Sequence, residues 1–373
     1  MKGIIMSKIN WKSIVGWGIA ALVAGFIVYT NMQEQKKSSN ENTVLVILPM
    51  TGNAAVWGQH FSKGVDYFKN QNPNANINVK IVDSQSNPMQ TISALQQELA
   101  IQKPFAVIAT ISSIAVPASK FASEAGVPAI ACVVSDKTLE AKNVQRIFPS
   151  AFDNIKPVAD IAKKKYKRLA ILYGNDESGV ACKKVMENEY KTPDNEIVFM
   201  EAYDIGKTDV RNLVYKTLSK NPDAVFIAGL GLEYWEIIRL IKSSDFKGDV
   251  LSDLAFSDAT QRASLEKAAE GVIYTTSRVE LSDNNNPKVE NLREFYKNRY
   301  NALPNYTGVI MYEALSVLNE MSKKGLSPNR EQLLKLGKYD GLSGTLEFLP
   351  NGDMHYPWIA VTLKDGKIVP VEE

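Results

Sequence analysis

Histidine and cysteine are scarce in this chain of 373 residues, which has two of each: His60 and His355, Cys132 and Cys182. No C-x-x-C or H-E-x-x-H spacing gathers them, so no Cys/His metal site is expected. Cys132 lies in an apolar run and reads as a small core residue, while Cys182 lies in a polar helical stretch. Nothing in the sequence supports a disulfide between them. An excess of either charge is also missing. Lys and Arg number 43 against 41 Asp and Glu, a net charge of +2. That balance, without RNP-like or zinc-finger spacing, argues against a nucleic-acid partner. Nucleotide and hydrolase motifs are absent too. Gly229-Leu-Gly231 follows a strand-like run, but Tyr234 breaks the dinucleotide fingerprint. There is no G-x-S-x-G elbow and no G-x-x-x-x-G-K-[ST] loop. With no nucleophile–base pair and no metal set, no catalytic residue and no cofactor is assigned, and an enzyme is the weaker class.

Charge is locally absent as well, from Ser13 to Gln33. The apolar centre of this run, Ile14 to Thr30, is near the lower limit for crossing a bilayer, about 17 residues. Lys2, Lys8 and Lys12 precede it, so the positive-inside rule favours a cytoplasmic N-terminus and an exported body. An A-x-A-like cleavage site and a lipoprotein cysteine are both missing, which favours an uncleaved anchor over a signal. The expected order is residues 1–12 cytoplasmic, 13–33 a transmembrane anchor or signal, and 34–42 a polar linker. The body would then be membrane-anchored and face the periplasm or the cell exterior.

What is present in the body is a repeated rhythm. Apolar runs such as Val44–Leu48, Phe105–Ala109 and Val127–Val134 alternate with segments of helical period, such as Phe61, Val65 and Phe68. The rhythm restarts at Arg168–Tyr173 and continues through Ala224–Ala228 to Gly271–Thr275. Near-continuous apolar strands separated by helices imply α/β architecture with parallel sheets covered on both faces. Two doubly wound units of similar build follow, and ligands collect at the carboxyl ends of such strands. The last hundred or so residues break the rhythm with helices and then a hairpin from Gly344 to Leu363, turning at Asn351-Gly352.

Four stretches carry a family likeness. They are Pro49-Met-Thr-Gly52 with Trp57-Gly58; Asp83 ahead of Pro88; Val107–Ser113 with Pro117-Ala-Ser119 and Gly126-Val-Pro128; and Gly341–Asp353. In that order the chain resembles the branched-chain amino acid (Leu/Ile/Val)-binding protein family, the type I periplasmic solute-binding proteins of ABC transporters. The likeness spans Thr43 to about Val369. It implies two lobes joined by a three-segment hinge. Lobe one would be 43–148 plus 277–340, and lobe two 149–276 plus 341–373.

The resemblance also implies a ligand site. Ser113 and Ser135 would hold a carboxylate, helped by free N–H groups where strand-end loops enter helices. Serine is equally at home as a cap or turn residue. Trp57 would be an aromatic wall, with Ile111, Ser112 and Val133 beside it. Asp253 falls near the family's acidic partner for a ligand ammonium, although a loop aspartate is commonly a surface residue. Ser178 and Leu230 stand where amino-acid binders carry ring-bearing residues on lobe two, which alters the expected specificity. The implied function is extracytoplasmic capture of an amino acid or similar small molecule and its delivery to an ABC permease. The alternative is the ligand-binding ectodomain of a membrane sensor.

Overall fold

The computed structural model describes residues 42–207 and 209–371. The segments 1–12 and 13–33, and the linker up to residue 41, lie outside the described residues. Among the described residues no helix is long and apolar enough to cross a membrane.

The first half of the body is built on five parallel strands in the order β2-β1-β3-β4-β5. These are β1 (Thr43–Leu48), β2 (Asn78–Asp83), β3 (Ala106–Thr110), β4 (Ala129–Cys132) and β5 (Val144–Arg146). Every residue of β1 is buried, because helices cover both faces of the sheet. The two-residue period of a strand divides its side chains between two cores. Val44, Val46 and Leu48 pack with Phe61, Val65 and Phe68 of α1 (Ala55–Gln71). Leu45 and Ile47 pack with Leu95 of α2 (Pro88–Ile101) and with Ile114, Ala115 and Ala118 of α3 (Ser112–Glu124).

After α4 (Ala151–Lys165) the pattern repeats. In chain order come β6 (Arg168–Gly174), α5 (Glu177–Tyr190), β7 (Glu196–Tyr203), α6 (Arg211–Leu218) and β8 (Ala224–Ala228). Then follow α7 (Leu232–Lys242), β9 (Asp249–Ser252), α8 (Ala259–Ala263) and β10 (Ile273–Ser277). The parallel part of this sheet runs β7-β6-β8-β9-β10, the same winding as the first. Two antiparallel strands, β14 (Trp358–Lys364) and β15 (Lys367–Pro370), extend it beyond β10 to seven strands.

The C-terminal region comprises α9 (Pro287–Tyr300), α10 (Tyr306–Lys323), α11 (Arg330–Leu336) and β11 (Lys338–Asp340). It continues through β12 (Thr345–Phe348), β13 (Met354–His355), β14 (Trp358–Lys364) and β15 (Lys367–Pro370). Helix α10 is buried along nearly its whole length and packs on α1. A Cβ on Gly64 of α1 would fall 2.1 Å from the carbonyl oxygen of Gly308, so only glycine permits this approach.

The hairpin expected over 344–363 forms only in its first part. Glu347 and Phe348 pair with His355 and Met354 around the Asn351-Gly352 turn. From Trp358 onward the chain instead pairs antiparallel with β10. Leu346, Phe348, Met354 and Tyr356 pack into the core that contains Val44 and Val46. Alternating apolar residues define which face of a strand is buried, and leave its partner to the rest of the fold.

Candidate functional site

Each parallel sheet reverses its direction of winding at one place, between β1 and β3 in the first and between β6 and β8 in the second. Outside such a switch point the loops diverge and leave a crevice at the carboxyl ends of the strands. Both crevices open onto one cavity of about 340 Å³. Asn53, Ala54 and Trp57 enter it after β1, Ile111 to Ile114 after β3, and Cys132 to Val134 from the end of β4. The opposite wall holds Asp176, Glu177 and Ser178 after β6, Ile205 after β7, Leu230 and Gly231 after β8, and Leu254 after β9. Phe148, Tyr306 and Thr307 close the remaining side.

The first wall is organised by Asp83. Its carboxylate accepts hydrogen bonds from the backbone N–H groups of Met50 at 2.9 Å, Thr51 at 3.2 Å and Gln85 at 2.8 Å, and from Thr51 Oγ1 at 2.7 Å. Partial burial works against its ionisation, but these donors outweigh it and hold the carboxyl below its ordinary range. Ser86 Oγ donates to the Thr51 carbonyl and accepts from the Ala54 N–H. The Pro49–Gly52 turn is thus tied to the loop after β2 and presents Trp57 at a fixed place. Trp57 meets Tyr306 edge-on with ring centroids 6.4 Å apart, and Tyr306 meets Phe148 at 6.3 Å. These three rings form an aromatic wall.

Helix α3 begins at the cavity with no side-chain cap. Its N-cap residue, Ile111, has φ of +63°, a conformation unfavourable for a β-branched residue. The Ser112 and Ser113 N–H groups are the first two of the helix and have no intrahelical acceptor. Unsatisfied donors and the positive end of a helix dipole favour negative charge at such a terminus.

The facing wall has the reverse polarity. Helix α5 is capped by its own Asp176, whose Oδ1 accepts from the Ser178 N–H at 2.7 Å and the Gly179 N–H at 2.9 Å. Burial raises the Asp176 pKa, these two donors oppose the rise, and neighbouring Glu177 adds to it. Lys137, from the loop after β4, reaches across to Glu177 Oε1 at 2.8 Å.

Of the nine residues singled out from sequence, Trp57, Ile111, Ser112, Ser113, Val133, Ser178 and Leu230 line the cavity. Ser135 and Asp253 do not line it. Ser135 is buried at the start of the short 3-10 turn Asp136–Glu140, where its carbonyl accepts from Thr138 Oγ1. Asp253 is also buried. Its Oδ2 accepts from the Gly229 N–H and its Oδ1 from the Ala255 N–H. Burial is the chief cause that pushes Asp253 up to about 7, against those two hydrogen bonds. It braces the loops after β8 and β9 from behind. Sequence reasoning did not find Asp176, Phe148 or Tyr306. Asp176 had one local signal, an acidic residue between a strand and a helix in an N-cap position.

Cys132 and Cys182 are both buried free thiols, and burial drives each pKa upward. Among the described residues no group of three or more His, Cys, Asp or Glu is placed to hold a metal ion.

Three comparisons with known proteins agree on the fold. The family model described as periplasmic binding protein matches residues 42–367. A Leu/Ile/Val-binding protein homolog from Brucella melitensis is 24% identical over 351 residues, covering 88% of this chain and 93% of the relative. A solute-binding protein of an R. palustris ABC transporter, solved in complex with 4-hydroxybenzoate, superposes with a TM-score of 0.78 at 18% identity. That match covers 89% of this chain and 95% of the other. A branched-chain amino acid transporter substrate-binding protein from Streptococcus pneumoniae, solved with isoleucine, gives 0.77 at 19% identity, covering 88% and 97%.

Proposed function

The chain belongs to the periplasmic binding protein family, and from that premise we propose that it captures a small carboxylate between two lobes and delivers it to an ABC permease. Such a protein binds its ligand without altering it, and the family is one of binding proteins rather than enzymes. The observation that carries the reading is the uncapped N-terminus of α3, opening into a cavity that also holds the aromatic wall of Trp57, Phe148 and Tyr306. The helix terminus suits a carboxylate, and the rings and Leu230 suit an apolar body. The 4-hydroxybenzoate and isoleucine of the two solved relatives both combine those features. Ser113 and Ser112 would hold the carboxylate, while Trp57, Ile111, Val133, Ser178 and Leu230 would shape the pocket.

Closure around the ligand is a hinge motion whose population shifts with the ligand's preference for the closed form. We draw lobe one as 43–148 plus 277–357 and lobe two as 149–276 plus 358–371. The third crossing is thereby moved from Gly341 to the residues before β14. Support for the move comes from the packing of Leu346, Phe348 and Met354 with Val44 and Val46, and from the pairing of β14 with β10. The family implies an extracytoplasmic location. The uncharged run 13–33 would tether the protein to the membrane, and mass spectrometry of the membrane fraction tests this through retention of residues 13–33.

A melting screen of the purified chain with amino acids and aromatic acids tests the capture of carboxylates. A binder at 100 times its dissociation constant adds about 2.7 kcal/mol. If no carboxylate in the panel raises the melting temperature, the reading fails.

A further inference from the structure

On the lobe boundaries drawn above, pairs of acidic and basic side chains reach from one lobe to the other away from the three crossings. Lys137 of lobe one lies in the 3-10 turn Asp136–Glu140 and donates from Nζ to Glu177 Oε1 of lobe two at 2.8 Å. Glu177 is the first residue of α5, where the helix dipole favours its charge, and it lines the cavity. Lys137 is exposed and Glu177 is half-buried, so the pair faces solvent at the edge of the cavity. His60 of α1 and Asp258, the cap of α8, bring Nδ1 and Oδ2 to 3.6 Å, with both side chains buried. A hinge motion separates residues on different lobes, so both contacts exist only while the lobes are together.

The lobe-one end of the Lys137 pair is held from beneath. Arg146 of β5 is fully buried. Its Nε donates to Asp353 Oδ1 at 2.7 Å, its Nη1 to the Val134 carbonyl at 2.8 Å, and its Nη2 pairs with Asp136 Oδ1 at 2.7 Å. Val134 lines the cavity, and Asp136 immediately precedes Lys137. The turn that presents Lys137 is thus fixed to the frame of its lobe, and pairing orders side chains rather than a loop. Resting on the two-lobe reading above, we propose that Lys137 and Glu177 form an electrostatic latch that favours the closed form before any ligand arrives. An exposed ion pair shifts an equilibrium by about two- to fivefold. Salt weakens such a pair, because the screening length falls from about 30 Å at 0.01 M to about 3 Å at 1 M. The buried His60–Asp258 contact is screened much less, so salt separates the two.

Single-molecule energy transfer between dyes on two introduced cysteines, Lys120→Cys in α3 and Lys184→Cys in α5, counts closed and open molecules of the ligand-free chain. Both positions are exposed, and both native cysteines are buried. At about 0.01 M salt, Lys137→Met and Glu177→Gln should each lower the ratio of closed to open molecules about two- to fivefold. The double variant should lower it no further than either single one, because both remove the same contact. Raising the salt to about 1 M should lower the ratio of the parent by a similar factor and leave that of Lys137→Met little changed. A parent with no closed molecules, a ratio unchanged in Lys137→Met or by salt, or single effects that multiply in the double variant would each overturn the latch. None of these readings uses a ligand. A responsive ratio with no carboxylate binding in the melting screen would defeat capture alone. Carboxylate binding with an unresponsive ratio would defeat the latch alone.

Discussion

Placing a second anion at the start of α3 separates the stability of the fold from its capacity to bind. Ser113 is exposed and is the second residue of an uncapped helix. In Ser113→Asp the new carboxylate meets the positive end of the helix dipole, which stabilises the unliganded protein by about 0.3–1 kcal/mol. The same carboxylate repels a ligand carboxylate at that terminus. Two unit charges about 4 Å apart interact by about 4 kcal/mol at an effective dielectric near 20. Solvent at an exposed position roughly halves this, leaving about 2 kcal/mol, or about thirtyfold in affinity. Thermal melting without ligand and titration with a carboxylate and its primary amide measure the two effects. The expected result is a melting temperature that is unchanged or raised, carboxylate affinity reduced about thirtyfold, and amide affinity reduced much less. A variant that binds the carboxylate as well as the parent, or loses acid and amide equally, would refute the idea that α3 holds an anion.

Two further perturbations test the scaffold. Glu313 is buried in α10, where it accepts from the Ser343 N–H at 2.8 Å and from Tyr356 Oη, and burial pushes its pKa up to about 8. An acid with a raised folded pKa retains its proton in the native state after the unfolded chain has lost it. Stability therefore falls as pH rises from about 4.5 to about 8. Asp253 and Glu280, both at about 7, act in the same direction. Glu313→Gln should flatten this slope in denaturant titrations at several pH values, and an unchanged slope would show that Glu313 does not titrate there. Arg146 is fully buried and holds Asp353 through Nε at 2.7 Å, while its other carboxylate partner, Asp136, is largely exposed. Removing one member of a buried pair costs about 3–5 kcal/mol, so Asp353→Ala should lower the unfolding free energy by about 3 kcal/mol. A loss below about 1 kcal/mol would contradict the weight given to this pair.

The sequence made the parallel strands legible wherever both faces are covered, because Val44–Leu48 and Ala224–Ala228 are continuously apolar. It concealed β5, where Gln145 and Arg146 are buried in a strand of only three residues. Arg146 can be buried because Asp353, 207 residues away, accompanies it, and no local window contains that pairing. The apolar residues of 345–358 were recognised as buried, but the partner of the strand starting at Trp358 was not. Period two fixes a face, whereas strand exchange between sheets depends on the whole chain. Within the candidate site, loop residues following strands were legible because winding sends them to one place. Asp176, which sequence reasoning passed over, carries the local signature of a helix cap, and it is one. Its second position, in the wall of a cavity, arises only when the two switch points face each other. Asp253 was read from its place after a strand, but the short turn that follows directs its carboxylate to backbone N–H groups rather than the cavity.

The most direct test is a structure of the chain with the tightest-binding carboxylate from the melting screen. The account predicts the ligand between the two sheets, its carboxylate oxygens within hydrogen-bond distance of the Ser112 and Ser113 N–H groups, and its apolar part against Trp57. A ligand bound elsewhere, or one whose carboxylate points to Asp176 and leaves the start of α3 unoccupied, would contradict it.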